Sequence, residues 1–130
     1  MMAKDNKTLH LVLKRKWWDM IASGEKREEY RDVCHYWARR LLNEQYRWYS
    51  MNTDYPKDFL WWIREHLDET ADIQFRQFEK VCFHLGYTNT TMTFNIVKMF
   101  MGIGTEYCKE EWGAEPNKHY FVIKLGERIG

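Results

Sequence analysis

Ser23-Gly24-Glu25-Lys26-Arg27-Glu28-Glu29-Tyr30-Arg31-Asp32 is the stretch on which the reading of this 130-residue chain turns. A short amphipathic segment, about residues 14–23, leads into it. Trp17, Met20 and Ile21 fall on one helical stripe, and Gly24 stands where a left-handed cap would end such a helix. Residues 27–31 then read as a strand, although heavily charged. Side chains repeat every two residues along a strand, so Glu29 and Arg31 share a face and Lys26 has the opposite parity. Lys26 joins them only where Gly24 and Glu25 form a loop that turns it inward. Arg31 then offers a planar fork for phosphate or a base edge, and Lys26 a compact charge or, if desolvated, a neutral amine. Glu29 would steady both cations or act as a base. The alternative is a solvated edge strand whose i, i+2 charges pair for under about 1 kcal/mol. Spacing alone leaves both readings open.

Upstream, Leu9, Leu11 and Leu13 alternate with His10 and Val12, the pattern of a strand with one buried face. Downstream, from about 35 to 70, the pattern is helical: Ala38, Leu41, Leu42 and Tyr49 share one face. A second helix runs from Pro56, with Phe59, Trp62, Ile63, His66 and Leu67 on one stripe and His66 as a packing residue. Further on, Val81, Phe83 and Leu85 alternate, Gly86–Thr90 supplies a turn, and Met92, Phe94 and Ile96 alternate again. Ile96 to Met101 carries apolar groups on both faces, as in a strand covered on both sides. A bend at Gly102–Gly104 and a turn at Trp112–Pro116 precede a last strand holding Phe121, Ile123 and Leu125. The expected fold is α+β, a curled sheet of about five strands flanked by helices, in one domain over residues 1–130 with a helical insertion at about 36–70.

Composition narrows the function. Hydrophobic residues make up 45% and aromatics 17%, which is too apolar for a disordered chain. The net charge of +1 is too small for a protein that coats duplex nucleic acid by displacing counterions. The charge is nonetheless uneven: residues 1–50 hold 11 Lys/Arg against 7 Asp/Glu, and residues 51–80 hold 4 against 7. Cys34, Cys82 and Cys108 form no CxxC pair and the histidines show no HxxxH spacing, so neither metal nor cofactor is expected and the thiols are read as reduced. No apolar leader or spanning stretch follows the polar opening Met1–Thr8, so the expectation is a cytoplasmic protein without a membrane partner.

Gly24-x-Lys26-x-x-Glu29-x-Arg31 resembles the GxKxxExR signature of the ASCH domain family, which is related to the PUA fold. The leucine-rich first strand and tryptophan-bearing helix before the motif are similar too. So are Ile103-Gly104, Trp112-Gly113-Ala114 and Tyr120-Phe121-Val122-Ile123-Lys124-Leu125-Gly126. The similarity spans roughly residues 8–35 and 78–126. It implies a PUA-like, β-barrel-like sheet, of bacterial or phage type, with the motif lining a cleft. It implies RNA or a nucleotide or nucleoside as partner, with Gly24, Lys26, Glu29, Tyr30 and Arg31 as ligand-binding residues. One bacterial branch that resembles this fold hydrolyses an acylated cytidine with a lysine at the Lys26 position and a threonine three residues later. Glu29 replaces that hydroxyl here, so a hydrolase would use Lys26 and Glu29 as an acid–base pair, with water as nucleophile.

Other candidates are weaker. Gly102-Ile103-Gly104 lacks the third glycine of a dinucleotide loop. Cys34 and His35 are sequence neighbours, which does not make a thiol–imidazole dyad. Glu106, Glu110 and Glu111 read as a solvated loop, with a carboxylate or metal-ligand role as the alternative. The first functional reading is therefore an RNA- or nucleotide-binding module, with Tyr30 or a nearby tryptophan stacking on a base. The second is a hydrolase acting on RNA or a modified nucleoside. The third is a protein-interaction module that uses an apolar surface on residues 36–70.

Overall fold

A computed structural model describes the protein over residues 7–43 and 75–130. In chain order the elements are β1 (Thr8–Leu13), α1 (Arg15–Ala22), β2 (Glu28–Asp32), α2 (His35–Leu41), β3 (Lys80–Leu85), β4 (Thr91–Ile103) and β5 (His119–Arg128). The strands form one mixed sheet in the order β1-β3-β4-β5-β2. The α+β class and the five strands follow the sequence reading. The expected helix from Pro56, with its His66 stripe, lies outside the described residues, as do Tyr49 and most of the 36–70 insertion. The described residues group into two units. One comprises residues 7–29, 77–98 and 123–130, and the other residues 30–43, 75–76 and 99–122.

In the first unit, β1 pairs in parallel with β3, and the register sets Leu9 opposite Val81 and Leu11 opposite Phe83. The alternating leucines thus meet the alternating residues of β3, and all four are buried. Removing each such side chain from water contributes about 1.5–3 kcal/mol. β4 returns antiparallel to β3 and brings Met92 and Phe94 to the same core, with the Phe83 and Phe94 rings 6.0 Å apart. The turn between them is held by Thr88, whose hydroxyl donates to the Leu85 carbonyl at 2.6 Å and accepts from the Thr90 N–H at 3.2 Å. On α1 the buried residues are Trp18 and Ile21, whereas Trp17 and Met20 are half-buried. The expected Trp17 stripe is thus rotated by one residue. Two adjacent tryptophans fit either stripe, and periodicity cannot choose between them.

In the second unit, α2 ends on side-chain help. The Arg76 guanidinium donates to the carbonyls of Leu42 at 2.9 Å and Arg39 at 2.8 Å. These are carbonyls that a short helix leaves without intrahelical donors. Beside it, the Phe75 and Phe121 rings meet edge to face at 5.9 Å. A separate cluster gathers Tyr30, Cys108, Ala114, Tyr120 and Val122, with Phe100 and Trp112 packed against it.

Two strand expectations are corrected. β4 runs through Gly102 to Ile103 instead of bending there. Its glycines serve close approach: a Cβ at Gly102 would lie 2.9 Å from Cys108 Sγ, and one at Gly104 would lie 1.9 Å from the Glu115 carbonyl oxygen. The reversal comes afterwards, where Thr105 takes φ of 78°. The two-sided burial expected for Ile96–Met101 does not hold either, because Val97 is 61% exposed. It is β5 that is covered on both faces, with Tyr120, Phe121, Val122 and Ile123 buried in succession. β5 lies between β4 and β2 in the sheet, and interior strands are where both faces can be covered.

Candidate functional site

The Gly24 hinge and the Lys26–Glu29 pair belong to the first unit. α1 stops at Ser23, whose N–H still donates to the Asp19 carbonyl at 3.0 Å. Gly24 then takes φ of +84°, a conformation a side chain would strain. Its N–H donates to the Ile21 carbonyl at 3.1 Å, and the Lys26 N–H donates to the Met20 carbonyl at 2.9 Å. The Ser23 hydroxyl also donates to Met20 at 3.0 Å. The carbonyls at the end of α1 therefore pull the Lys26 backbone back against the helix. This is the inward-turning loop that the parity of Lys26 required.

The consequence is a buried ion pair. Lys26 and Glu29 are each 2% exposed, and Lys26 Nζ donates to Glu29 Oε1 at 2.5 Å. The ammonium also lies 4.4 Å from the centre of the Trp17 ring, a cation–π contact that a desolvated lysine gains most from. Trp17 is thus displaced from the helix core and serves Lys26 instead. The solvated-edge alternative does not describe β2, where Glu28 is buried as well. Taking two charges out of water costs several kcal/mol per ion, so the pair stands only because each group faces its partner at hydrogen-bond distance.

A cleft of about 270 Å³ opens in the same unit. Its wall includes Gly24, Lys26 and Arg27 from the loop, Phe94 from β4, and Leu125 and Arg128 from β5. The Leu125 N–H donates to the Arg27 carbonyl at 3.0 Å, which joins the loop to β5. Glu127 is the acidic lining residue against Lys26, Arg27 and Arg128, so the wall carries more positive than negative charge. Arg27, Phe94 and Arg128 were not singled out by sequence. Arg27 lies inside the motif and was legible there. Arg128 reaches the cleft through strand pairing, which the linear pattern does not show.

Tyr30, Arg31 and Asp32 belong to the second unit. Tyr30, expected as a stacking ring, is 8% exposed. Its hydroxyl accepts from the Lys109 N–H at 3.1 Å, and its ring sits 5.7 Å from that of Tyr120. The half-buried Arg31 lies with its guanidinium carbon 5.0 Å from the centre of the Trp37 ring and donates to the Tyr30 carbonyl at 3.2 Å. Asp32 pairs with Lys118 at 3.1 Å, and that hydrogen bond raises the Lys118 pKa above its ordinary value. Glu106, Glu110 and Glu111 are exposed, although Glu110 and Glu111 open a 3-10 turn, Glu110–Trp112, in place of the expected loop. Cys34 directly precedes α2 as its N-cap.

Among the described residues no helix is long and apolar enough to cross a membrane. No protein-family model, no curated protein and no solved structure significantly matches this chain.

Proposed function

We propose that this chain is a PUA-like domain of the ASCH type that binds RNA or a nucleotide, with the cleft beside Gly24 and Lys26 as its ligand site. The observation that carries the reading is the buried Lys26–Glu29 pair at the edge of that cleft. A buried ion pair is a poor stability device compared with apolar residues of the same volume. Its presence in a loop shaped by a left-handed glycine is accounted for by chemistry at the cleft. The cleft's volume of about 270 Å³ lies at the lower end of ligand sites, the scale of one nucleoside unit. Phe94 and Leu125 offer apolar wall for a base, and Arg27 and Arg128 offer forks for phosphate.

Titration of the intrinsic tryptophan fluorescence with ribonucleoside monophosphates and short single-stranded RNAs tests this. Binding is expected at low salt and should weaken as salt rises. Arg27→Ala and Arg128→Ala should each weaken it about tenfold or more, the worth of one charge-assisted hydrogen bond. Affinity unchanged in both variants, or no binding to any RNA or nucleotide, would overturn the reading.

The 2.5 Å contact between Lys26 and Glu29 favours a second reading, a hydrolase acting on an acylated or otherwise modified nucleoside. Glu29 would take the proton of an attacking water, and Lys26 would protonate the leaving nitrogen. Incubation with acylated cytidine and with labelled RNA separates the two: product lost in Glu29→Gln supports hydrolysis, and binding without product supports the module.

A further inference from the structure

On the other face of β1 and β3, His10, Cys82 and His84 come together although 72 or more residues separate the first from the others. We propose that these three side chains form a binding site for a zinc-like divalent transition-metal ion, with a fourth position open to water. The site is independent of the ligand reading above.

The register builds it. His10 pairs directly with Cys82 across the parallel β1–β3 ladder, and His84 follows Cys82 by two residues on the same strand. Leu9 and Leu11 on β1, and Val81 and Phe83 on β3, point into the core. Parity therefore sends His10, Cys82 and His84 to the opposite face together. Hence no metal signature stands in the linear order: the ligands are set by pairing between strands, whereas motifs such as CxxC or HxxxH report ligands on one segment.

The donor atoms are already close. His10 Nδ1 and His84 Nε2 are 3.0 Å apart, and the three ligand atoms all lie within 4.8 Å of one another. Tetrahedral zinc with Zn–N near 2.0–2.1 Å and Zn–S near 2.3 Å needs N···N separations of about 3.4 Å and N···S separations of about 3.6 Å. The two imidazoles would part by a few tenths of an ångström, and the Cys82 sulfur would close by up to about one. Two imidazole nitrogens and one thiolate are donors of the borderline softness that zinc prefers, and they suit calcium or magnesium poorly. Cys82 is in no disulfide and half-buried, His84 is half-buried, and His10 is exposed, so solvent reaches the cluster from one side. The β4 residues paired with Cys82 and His84 are Thr93 and Thr91, so no acidic side chain occupies either position. A hydrogen bond accounts for the approach of the two histidines, and the strand register brings Cys82 beside them.

Titration of the chelator-treated, reduced full chain with cobalt(II), followed by displacement with zinc(II), tests the site. One equivalent of cobalt should give the visible bands of tetrahedral coordination together with a thiolate-to-cobalt charge-transfer band, and zinc should abolish both. Cys82→Ala should remove the charge-transfer band although Cys34 and Cys108 remain. His84→Ala and the exposed His10→Ala should each weaken zinc binding about a hundredfold, with unchanged circular dichroism as the folding control. Cobalt bound without sulfur coordination would overturn the proposal, as would zinc affinity unchanged in well-folded His10→Ala and Cys82→Ala.

Discussion

Lys26 owes its position to backbone atoms and its state to two side chains. The Met20 carbonyl fixes its N–H, Glu29 receives its ammonium, and the Trp17 ring covers it. Removing one member leaves the other as an uncompensated buried charge. Lys26→Met or Glu29→Gln should therefore each lower the unfolding free energy by about 3–5 kcal/mol. Lys26→Met with Glu29→Gln should cost far less than the sum of the single changes. Urea denaturation of the four proteins measures this, and strict additivity would show that the two groups do not depend on one another. The candidate chemistry of this pair was legible in the residue types of Gly24-x-Lys26-x-x-Glu29, although spacing alone did not choose between a pair and a solvated edge. Its burial was not, because charge density in a sequence reads as solvent exposure until a covering layer is known. Tyr30 shows the same limit from the other side: an aromatic within the charged motif suggested stacking, and the fold uses its hydroxyl to hold the Lys109 N–H.

At the scale of elements, two glycines act for different reasons. Gly24 needs its positive φ and has open space around its Cα, whereas Gly104 needs the absence of a Cβ because a backbone carbonyl fills that place. Gly24→Ala should then cost about 1–2 kcal/mol, the strain of a left-handed residue. Gly104→Ala should cost about 3 kcal/mol or more, since the Glu115 backbone must move. Thermal denaturation of both variants gives the order, and a milder Gly104→Ala would mean that the 104 and 115 segments yield easily. The helix ending at Gly24 and the alternation of β1 were readable because each is a local pattern. The path of β4 through Gly102 was not, since the atoms that exclude a side chain there come from Cys108 and beyond.

For the molecule as a whole, near-neutral charge leaves stability to packing, with ion pairs as small corrections. The Lys118–Asp32 pair is one that pH can isolate. The Lys118 pKa is raised chiefly by its hydrogen bond to Asp32, against an opposing effect of burial. A cation whose folded pKa exceeds its unfolded one contributes stability that is complete below the unfolded pKa of about 10.4 and lost as pH rises through the folded value. The pair is substantially exposed, so the contribution should stay under about 1 kcal/mol and fall with salt. Asp32→Asn should lower neutral-pH stability by that contribution and flatten the alkaline limb, so that the two proteins converge above the folded pKa. An identical alkaline limb in wild type and variant would count against the pairing.

Alternating leucines, a glycine-capped helix, a turn at residues 86–90 and the alternation within 91–95 determined by themselves that the chain forms strands and a short helix of the α+β class. They did so because secondary structure answers to periods of 2 and 3.6 residues, which a single chain displays. Which strand lies beside which was decided only in three dimensions. Pairing of β1 with β3 sets His10 against Cys82, and the return of β5 brings Arg128 to the cleft beside Lys26. Hydrogen bonds between strands join residues without regard to their distance in sequence, so groups of side chains assembled that way leave no mark in the linear order.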